Sequence, residues 1–473
     1  MKRASGPSTL TQDSPRLTGK ELRKRATRES HAEWEPAPGR NPLKILLDQG
    51  ASRVPDLLPI RYGRMSASPF AFYRGGAAIM AADLASTPST GVRVQACGDA
   101  HISNFGGYAA PDRRLVFDLN DFDETLPAPW EWDVKRMAAS AVIAARENGA
   151  SKKVARRIVL DGVARYREVM RRLADMPYLD VWYTRLDVEQ MVEVLERAFG
   201  QESGINMRKD IAKASRKDST RAQRKLTEAS GESGEPRFTS RPPLLVPGRE
   251  LAESLGLSDV EAIRELIEGL LAQYRDTLPP DRQHLFGHYR FVDIARKVVG
   301  VGSVGTRAWV LLFLSNRRRD PLVLQVKEAQ NSVLAPYAGA SKFRLQGRRV
   351  VEGQRLTQAA SDLFLGWVRA KGPDGTVRDF YVRQLWDGKL SIDIASLKEA
   401  GLAQYVQACG GVLALAHART GDRVAIAEYL GKNDKFDQAI AEFSLRYAKQ
   451  NREDFNAFTA EIEAGRIEAT PGI

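Results

Sequence analysis

Between Val94 and Glu124 the chain reads VQACGDAHISNFGGYAAPDRRLVFDLNDFDE and gathers Asp99, His101, Asn104, Asp118, Asn120, Asp121 and Asp123 into one short span. Carboxylates and amides at loops and strand ends are oxygen ligands for a hard cation such as magnesium, which is bound through one or two carboxylates and substrate phosphates. With no chemistry at all, the same residues would serve as turn and cap residues.

Far downstream, GVGSVG sets Gly300, Gly302, Ser303 and Gly305 between two apolar runs. This glycine spacing matches a dinucleotide-binding turn, but that turn opens a helix, and here the apolar run TRAWVLLFL follows. A glycine-rich hairpin closing over nucleotide phosphates suits the flanking strands. Lys327, in LVLQVKEA, sits among apolar residues at the end of the next strand, where an ammonium must reach solvent or meet an anion. Glu352, in the following helix, is expected to orient it, because the adjacent Glu328 points to the other face of the strand. Arg61, Arg64 and Arg74 crowd the approach to the acidic loop. They suit bidentate phosphate binding or the tying down of local carboxylates equally well.

Periodicity names the elements that must carry these groups. Val92 and Val94 alternate with polar neighbours, and Arg114 to Leu119 is apolar, so the acidic stretch reads as strands joined by a Gly/Pro turn. Helical spacing predicts helices at Pro69–Ala85, Glu131–Glu147 (largely buried), Lys152–Ala174 (basic outer face) and Ser258–Tyr274. From Tyr289 the pattern changes to two or three antiparallel strands, then a helix at Arg348–Leu363 and a hairpin turning at Pro373 to Gly375. Helices are expected again at Leu402–Ala418, Val424–Leu430 and Lys435–Ala464. The resulting plan is a mobile basic arm (1–40), a mostly helical part with the acidic loop (41–200), and a basic linker or flap (201–285). A β-rich unit (286–390) and closing helices (391–473) complete it.

A chain of 473 residues that is 43 % hydrophobic has material for sizeable cores. No apolar run is long enough for a membrane span and no secretory signal is visible, so a cytoplasmic location is expected. Two cysteines, Cys97 and Cys409, give neither a disulfide framework nor a zinc site. The net charge of +12 points to anionic partners. Without a zinc-finger spacing or an aromatic-rich basic patch, a nucleotide or phosphorylated molecule is favoured over nucleic acid.

GDAHISNFG places Asp99 and Asn104 at the spacing of aspartate and asparagine in the kinase catalytic loop, and it resembles the GDxHxxN loop of aminoglycoside and choline kinases. The resemblance implies that Asp99 faces a substrate hydroxyl and that Asn104 holds a metal. NDFDE resembles the magnesium-binding element that follows, with Asp121 best placed, Asp133 as the next landmark, and Asp118 and Asp123 still open. His101 would contact the loop or a phosphate. Because the glycine loop and lysine come after the catalytic loop, the implied fold is an α+β, circularly permuted protein-kinase-like one. Its β-rich N-lobe-like unit is inserted between mostly helical C-lobe segments, with a hinge near Gln384 to Lys389. RYGRMSASPFAFYRGGAAIMAADLA, QACGDAHISNFG, VFDLNDFDETLPAPWEWDVKRMAASAV and YAKQNREDFNAF resemble the bacterial domain-of-unknown-function family 2252 over nearly the whole chain after the arm. The expected activity is ATP- and Mg2+-dependent phosphoryl transfer to a hydroxyl of a small molecule or protein. Nucleotidyl transfer, a nucleotide-binding pseudoenzyme and nucleic-acid binding are the alternatives.

Overall fold

The computed structural model describes residues 17–199, 219–230, 234–251, 260–298, 300–317, 320–372, 374–385 and 388–472. The chain is a mixture of helices and small antiparallel sheets. Among the described residues no helix is long and apolar enough to cross a membrane.

Helix Trp130–Glu147 is the axis of the helical part, and every residue from Trp130 to Ala145 is buried. Its AASAVIAA run has small side chains that let neighbours approach on all sides. Helices Lys152–Ala174, Glu399–Thr420 and Lys435–Glu463 surround it, so segments before and after the β-rich unit share one core. Lys152–Ala174 and Glu399–Thr420 cross at Gly162 and Gly410, where a side chain on either would drive into the facing helix. Trp130 stacks on Tyr166 with ring centroids 5.8 Å apart.

Two short ladders lie at one end of this core. Strand β1 (Arg93–Ala96) pairs with β4 (Leu126–Pro129), and β2 (Phe105–Ala109) pairs with β3 (Leu115–Leu119), the last two forming the expected hairpin. The β-rich unit opens with β5 (Thr227–Ser230), β6 (Glu235–Phe238) and β7 (Leu245–Pro247), followed by β8 (Tyr289–Lys297), β9 (Ala308–Ser315) and β10 (Pro321–Glu328). Helix Gln346–Thr357 then precedes β11 (Gly366–Lys371) and β12 (Val377–Gln384). Six of these strands form one antiparallel sheet in the order β11-β12-β10-β9-β8-β7. The pleat sends Leu322, Leu324 and Val326 to one face, under helices Val260–Arg275 and Pro280–Phe286. Val323, Gln325 and Lys327 go to the other. The glycine loop joins β8 to β9, as its flanking strands predict.

Some expectations need correction. The helix expected at Pro69–Ala85 is two, Pro69–Gly75 and Ala77–Leu84, because the chain leaves helical geometry at Gly76 (φ −97°, ψ 28°). The helix expected to reach Leu363 ends at Thr357, where Gln358 turns extended. From residue 17 the N-terminal arm is folded: Thr18 and Glu21 form a capping box on helix Gly19–Arg25, and Gly19 N donates to Glu428 Oε2 at 2.9 Å. Leu22 is fully buried there, which is what holds the helix down. Residues 1–16, most of the basic stretch (208–218), Pro373 in the second hairpin and two hinge positions (386 and 387) lie outside the described residues.

Lys135 on the axial helix is fully buried; its Nζ has no hydrogen-bond partner and lies 4.9 Å above the Phe443 ring. Burial, only partly offset by the Glu131 charge, pushes its pKa down from 10.5 to about 7. Between these values the unfolded chain binds more protons than the folded one, so stability rises with pH across that interval and falls away as pH drops to about 7. Chemical denaturation of Lys135→Met across this range should show the slope reduced and the neutral-pH stability raised. An unaltered slope would assign the dependence to another group.

Candidate active site

The acidic loop is held from beneath by one face of the axial helix. Asp133, in the first turn, accepts from Cys97 N at 2.7 Å and Gly98 N at 3.0 Å. Its Oδ2 also lies 3.3 Å from His417 Nε2, and Tyr166 contacts the other ring nitrogen at 2.9 Å. One turn on, the Arg136 guanidinium meets Asp99 Oδ1 through Nε at 2.8 Å and Nη2 at 2.7 Å. Ser140 Oγ accepts from Ile102 N at 3.0 Å. Positions 133, 136 and 140 recur at helical spacing, so a single polar stripe on a buried helix grips the loop at successive points. Gly98 is required where it stands: its φ is +82°, and a side chain there would collide with the Glu124 carbonyl.

Asp99 projects from this anchored loop with a side chain 17 % exposed. Burial pushes its carboxyl above the ordinary range against the opposing Arg136 guanidinium. With Oδ1 taken by Arg136, Oδ2 is the oxygen left to meet a ligand. His101 Nε2 lies 3.8 Å from it; burial, with the charges of Arg136 and Arg74, drives that ring well below its usual pKa, so it is neutral. Asn104 donates Nδ2 to the Asp99 carbonyl at 2.8 Å, keeping its amide oxygen at the start of β2. Its own carbonyl accepts from Asn120 N at 2.8 Å, which brings Asn104 beside the exit of β3 and Asp121.

Lys327 crosses to the same place from β10. Its side chain is only 3 % exposed, and Nζ lies 2.7 Å from Asp123 Oδ2 and 3.9 Å from Asp121 Oδ1. Asp123 also accepts from Tyr381 Oη at 2.7 Å and Ser303 Oγ at 3.1 Å. Burial opposes ionisation of Asp123, but the Lys327 charge, hydrogen bonds from Lys327 and Tyr381, and the Arg383 charge hold its carboxyl down at about 2. Lys327 is in turn raised above its ordinary value by Asp121 and Asp123, against burial. Arg383 on β12 donates to the Asn120 carbonyl and to Gln325 Oε1, both at 3.1 Å, and adds its charge beside the two aspartates.

The expected site residues therefore sort by what they touch. Asp118 is buried, its oxygens accepting from Leu119 N at 2.8 Å and Ala359 N at 3.1 Å, which makes it a structural residue. Asp123 is spent on Lys327, Tyr381 and Ser303. Asp121, 32 % exposed, accepts a 3.3 Å bond from Asp123 N and retains capacity for a cation. Among the described residues no three His, Cys, Asp or Glu side chains are grouped as a metal cage. An open carboxylate and an amide oxygen are ligand types that magnesium accepts, its shell completed by waters and phosphates.

Glu352 does not orient Lys327: it lies 3.7 Å from Arg348 and 3.8 Å from Arg355 on its own helix. The face of helix Gln346–Thr357 that meets the acidic loop carries Arg349 and Gly353, one turn apart. Arg349 donates to the carbonyls of Thr125, Asp123 and Gln330 at 2.7, 2.8 and 2.8 Å, while Gly353 admits Thr125. Glu352 is rotated off that face.

Arg61 is buried and used structurally, donating to the carbonyls of Gly302 at 2.6 Å and Gly75 at 3.0 Å. With Arg53, which bonds the Val304 carbonyl, it ties the glycine loop to the helical part. Gly300, Gly302 and Gly305 thus shape the loop, and Ser303 is its contact with the acidic cluster. Arg64 is partly buried on helix Leu58–Met65. Arg74 differs from both: its buried Nε has no hydrogen-bond partner, and its charge acts on Asp99 and Asp121. Arg136, Arg349 and Arg383 were not anticipated. The spacing of Asp133, Arg136 and Ser140 in a largely buried helix was the available signal for the first; an isolated arginine in a strand or polar helix offers none.

Removing one partner of a buried ion pair leaves an uncompensated charge, so Arg136→Met should lower the unfolding free energy by about 3–5 kcal/mol. The double variant Arg136→Met/Asp99→Asn should recover much of that loss in urea titrations. Strictly additive losses would show that the pair does not hold the loop.

No curated protein and no solved structure matches the chain. The family described as "Uncharacterized protein conserved in bacteria (DUF2252)" matches residues 53–461. That stretch contains the acidic loop, the axial helix, the glycine loop and Lys327, and the chain belongs to DUF2252.

Proposed function

We propose that the protein is an ATP- and magnesium-dependent phosphotransferase of permuted kinase-like fold, acting on a hydroxyl of a small molecule or protein. The observation that carries this reading is the meeting of Lys327 with Asp123, 204 residues apart in the chain, in a cluster that the glycine loop closes through Ser303. Glycine hairpin, lysine strand, helix and second hairpin follow one another in the β-rich unit as they do in a kinase small lobe.

In this reading Asp99 Oδ2 takes the proton of the acceptor hydroxyl as its oxygen attacks the γ-phosphorus and ADP leaves. The raised carboxyl makes Asp99 a better base than an exposed aspartate, and Arg136 fixes its direction. Asp121 and Asn104 would hold magnesium, which supplies positive charge against the phosphate oxygens. Lys327 and Arg74 supply fixed positive charge from opposite units of the chain. A second reading, nucleotidyl transfer by the same residues with the nucleotide inverted, is favoured by one departure. Lys327 is held by Asp123 and not by a helix glutamate, so the phosphates need not lie in kinase order.

Asp121→Asn should abolish magnesium-dependent ATP turnover and leave the unfolding transition intact. Asp99→Asn should slow transfer by about 10²–10⁴-fold. Release of ADP identifies phosphoryl transfer and release of pyrophosphate nucleotidyl transfer; turnover unchanged in Asp121→Asn rejects both.

A further inference from the structure

Helix Ser219–Leu226, sequence STRAQRKL, lies at the end of the basic stretch and has a divided surface. Ser219, Ala222 and Leu226, at helical spacing, are buried, whereas Arg221, Arg224 and Lys225 are exposed. Its apolar side packs with Val310, Leu312, Leu314, Val323 and Leu385 in one cluster. By the strand register Val323 pairs with Leu312 and Gln325 with Val310, just as Lys327 pairs with Ala308. The helix therefore covers the same face of the sheet that presents Lys327.

Its position along that face is defined at both ends. Ser219 Oγ accepts from Gln384 Nε2 at 3.3 Å, at the last residue of β12. At the other end, the Leu226 carbonyl accepts from Thr239 N at 2.9 Å, and the adjacent Phe238 N donates to Asp293 Oδ2 on β8 at 2.7 Å. Val323 is four residues from Lys327, about 13 Å along the strand at 3.3 Å per residue. That is about the span from the phosphates to the base of a nucleotide. A cavity of about 350 Å³ opens at the Gln384 end, lined by Ser219, Thr220, Asp362, Gln384 and the β2–β3 turn at Ala110 and Arg113.

We infer that helix Ser219–Leu226 is a built-in plug, occupying the apolar strip between the end of β12 and the middle of β8 on which the base of a nucleotide would rest. This rests on the proposal that phosphates bind at Lys327 and Asp121. A nucleotide with its phosphates there must displace the helix to seat its base, so the apparent affinity is the intrinsic one reduced by the fraction of molecules with the helix undocked. The plug is amphipathic and short, and its exposed side is basic.

The test is binding of ATP with magnesium, by calorimetry, to the full chain and to Leu226→Asp, whose buried carboxylate disfavours docking. The expected result is an apparent Kd at least about tenfold lower in the variant. In the unmodified protein, hydrogen exchange of amides 220–226 should speed up on adding ATP and magnesium, a readout that holds even if the variant fails to fold. Equal affinities, or ATP binding with no change in exchange of these amides, would overturn the plug and leave nucleotide binding at Lys327 standing. If neither protein binds ATP, the phosphate site itself falls and the plug with it.

Discussion

The pair of buried Lys327 and half-buried Asp123 is the contact on which the arrangement depends. An ammonium and a carboxylate taken from water each lose several kcal/mol of hydration, and their attraction repays this only with close geometry and further hydrogen bonds. Both conditions are met: the pair is 2.7 Å apart, and Tyr381 and Ser303 satisfy the remaining carboxylate capacity. The donors come from β10, β12 and the glycine loop, whereas the acceptor comes from the loop after β3. One carboxylate thus sets the position of the sheet relative to the acidic loop.

The other fixed point is the axial helix. Small residues let it sink into the core, and its polar stripe of Asp133, Arg136 and Ser140 emerges only where the acidic loop passes. This explains how a loop bearing a half-open carboxylate stays ordered: its backbone amides are bonded to Asp133, and one oxygen of Asp99 is bonded to Arg136. Arg61 and Arg53 do the same for the glycine loop by bonding its carbonyls. Arginine suits these tasks because one planar group donates in several directions and stays charged when buried. Arg74 and Arg53 each keep a buried Nε without a hydrogen-bond partner among the described residues.

Much of this was legible in the amino-acid order. The extents of Lys152–Ala174 and Trp130–Glu147, the strand hairpin around the glycine loop, the spacing of Asp99 and Asn104 and the isolation of Lys327 all follow from local rules. Side-chain period decides which face of an element is apolar, and turn residues decide where it stops. Asp133 was in view only as the landmark that the resemblance to kinases implies. Gly76 was the local exception, breaking a helix that the apolar spacing alone would have continued.

The partners of the charges were decided by tertiary structure. Asp118, Asp121 and Asp123 are chemically equal in the chain, and only burial against Ala359, exposure, and contact with Lys327 gave them three different states. Glu352 lost the lysine to Asp123 because the helix presents Arg349 and Gly353 to the loop. The reason is one of range: periodicity and capping act over a few residues, whereas an ion pair depends on which distant surfaces are brought within 3–4 Å, a distance that residue order does not encode.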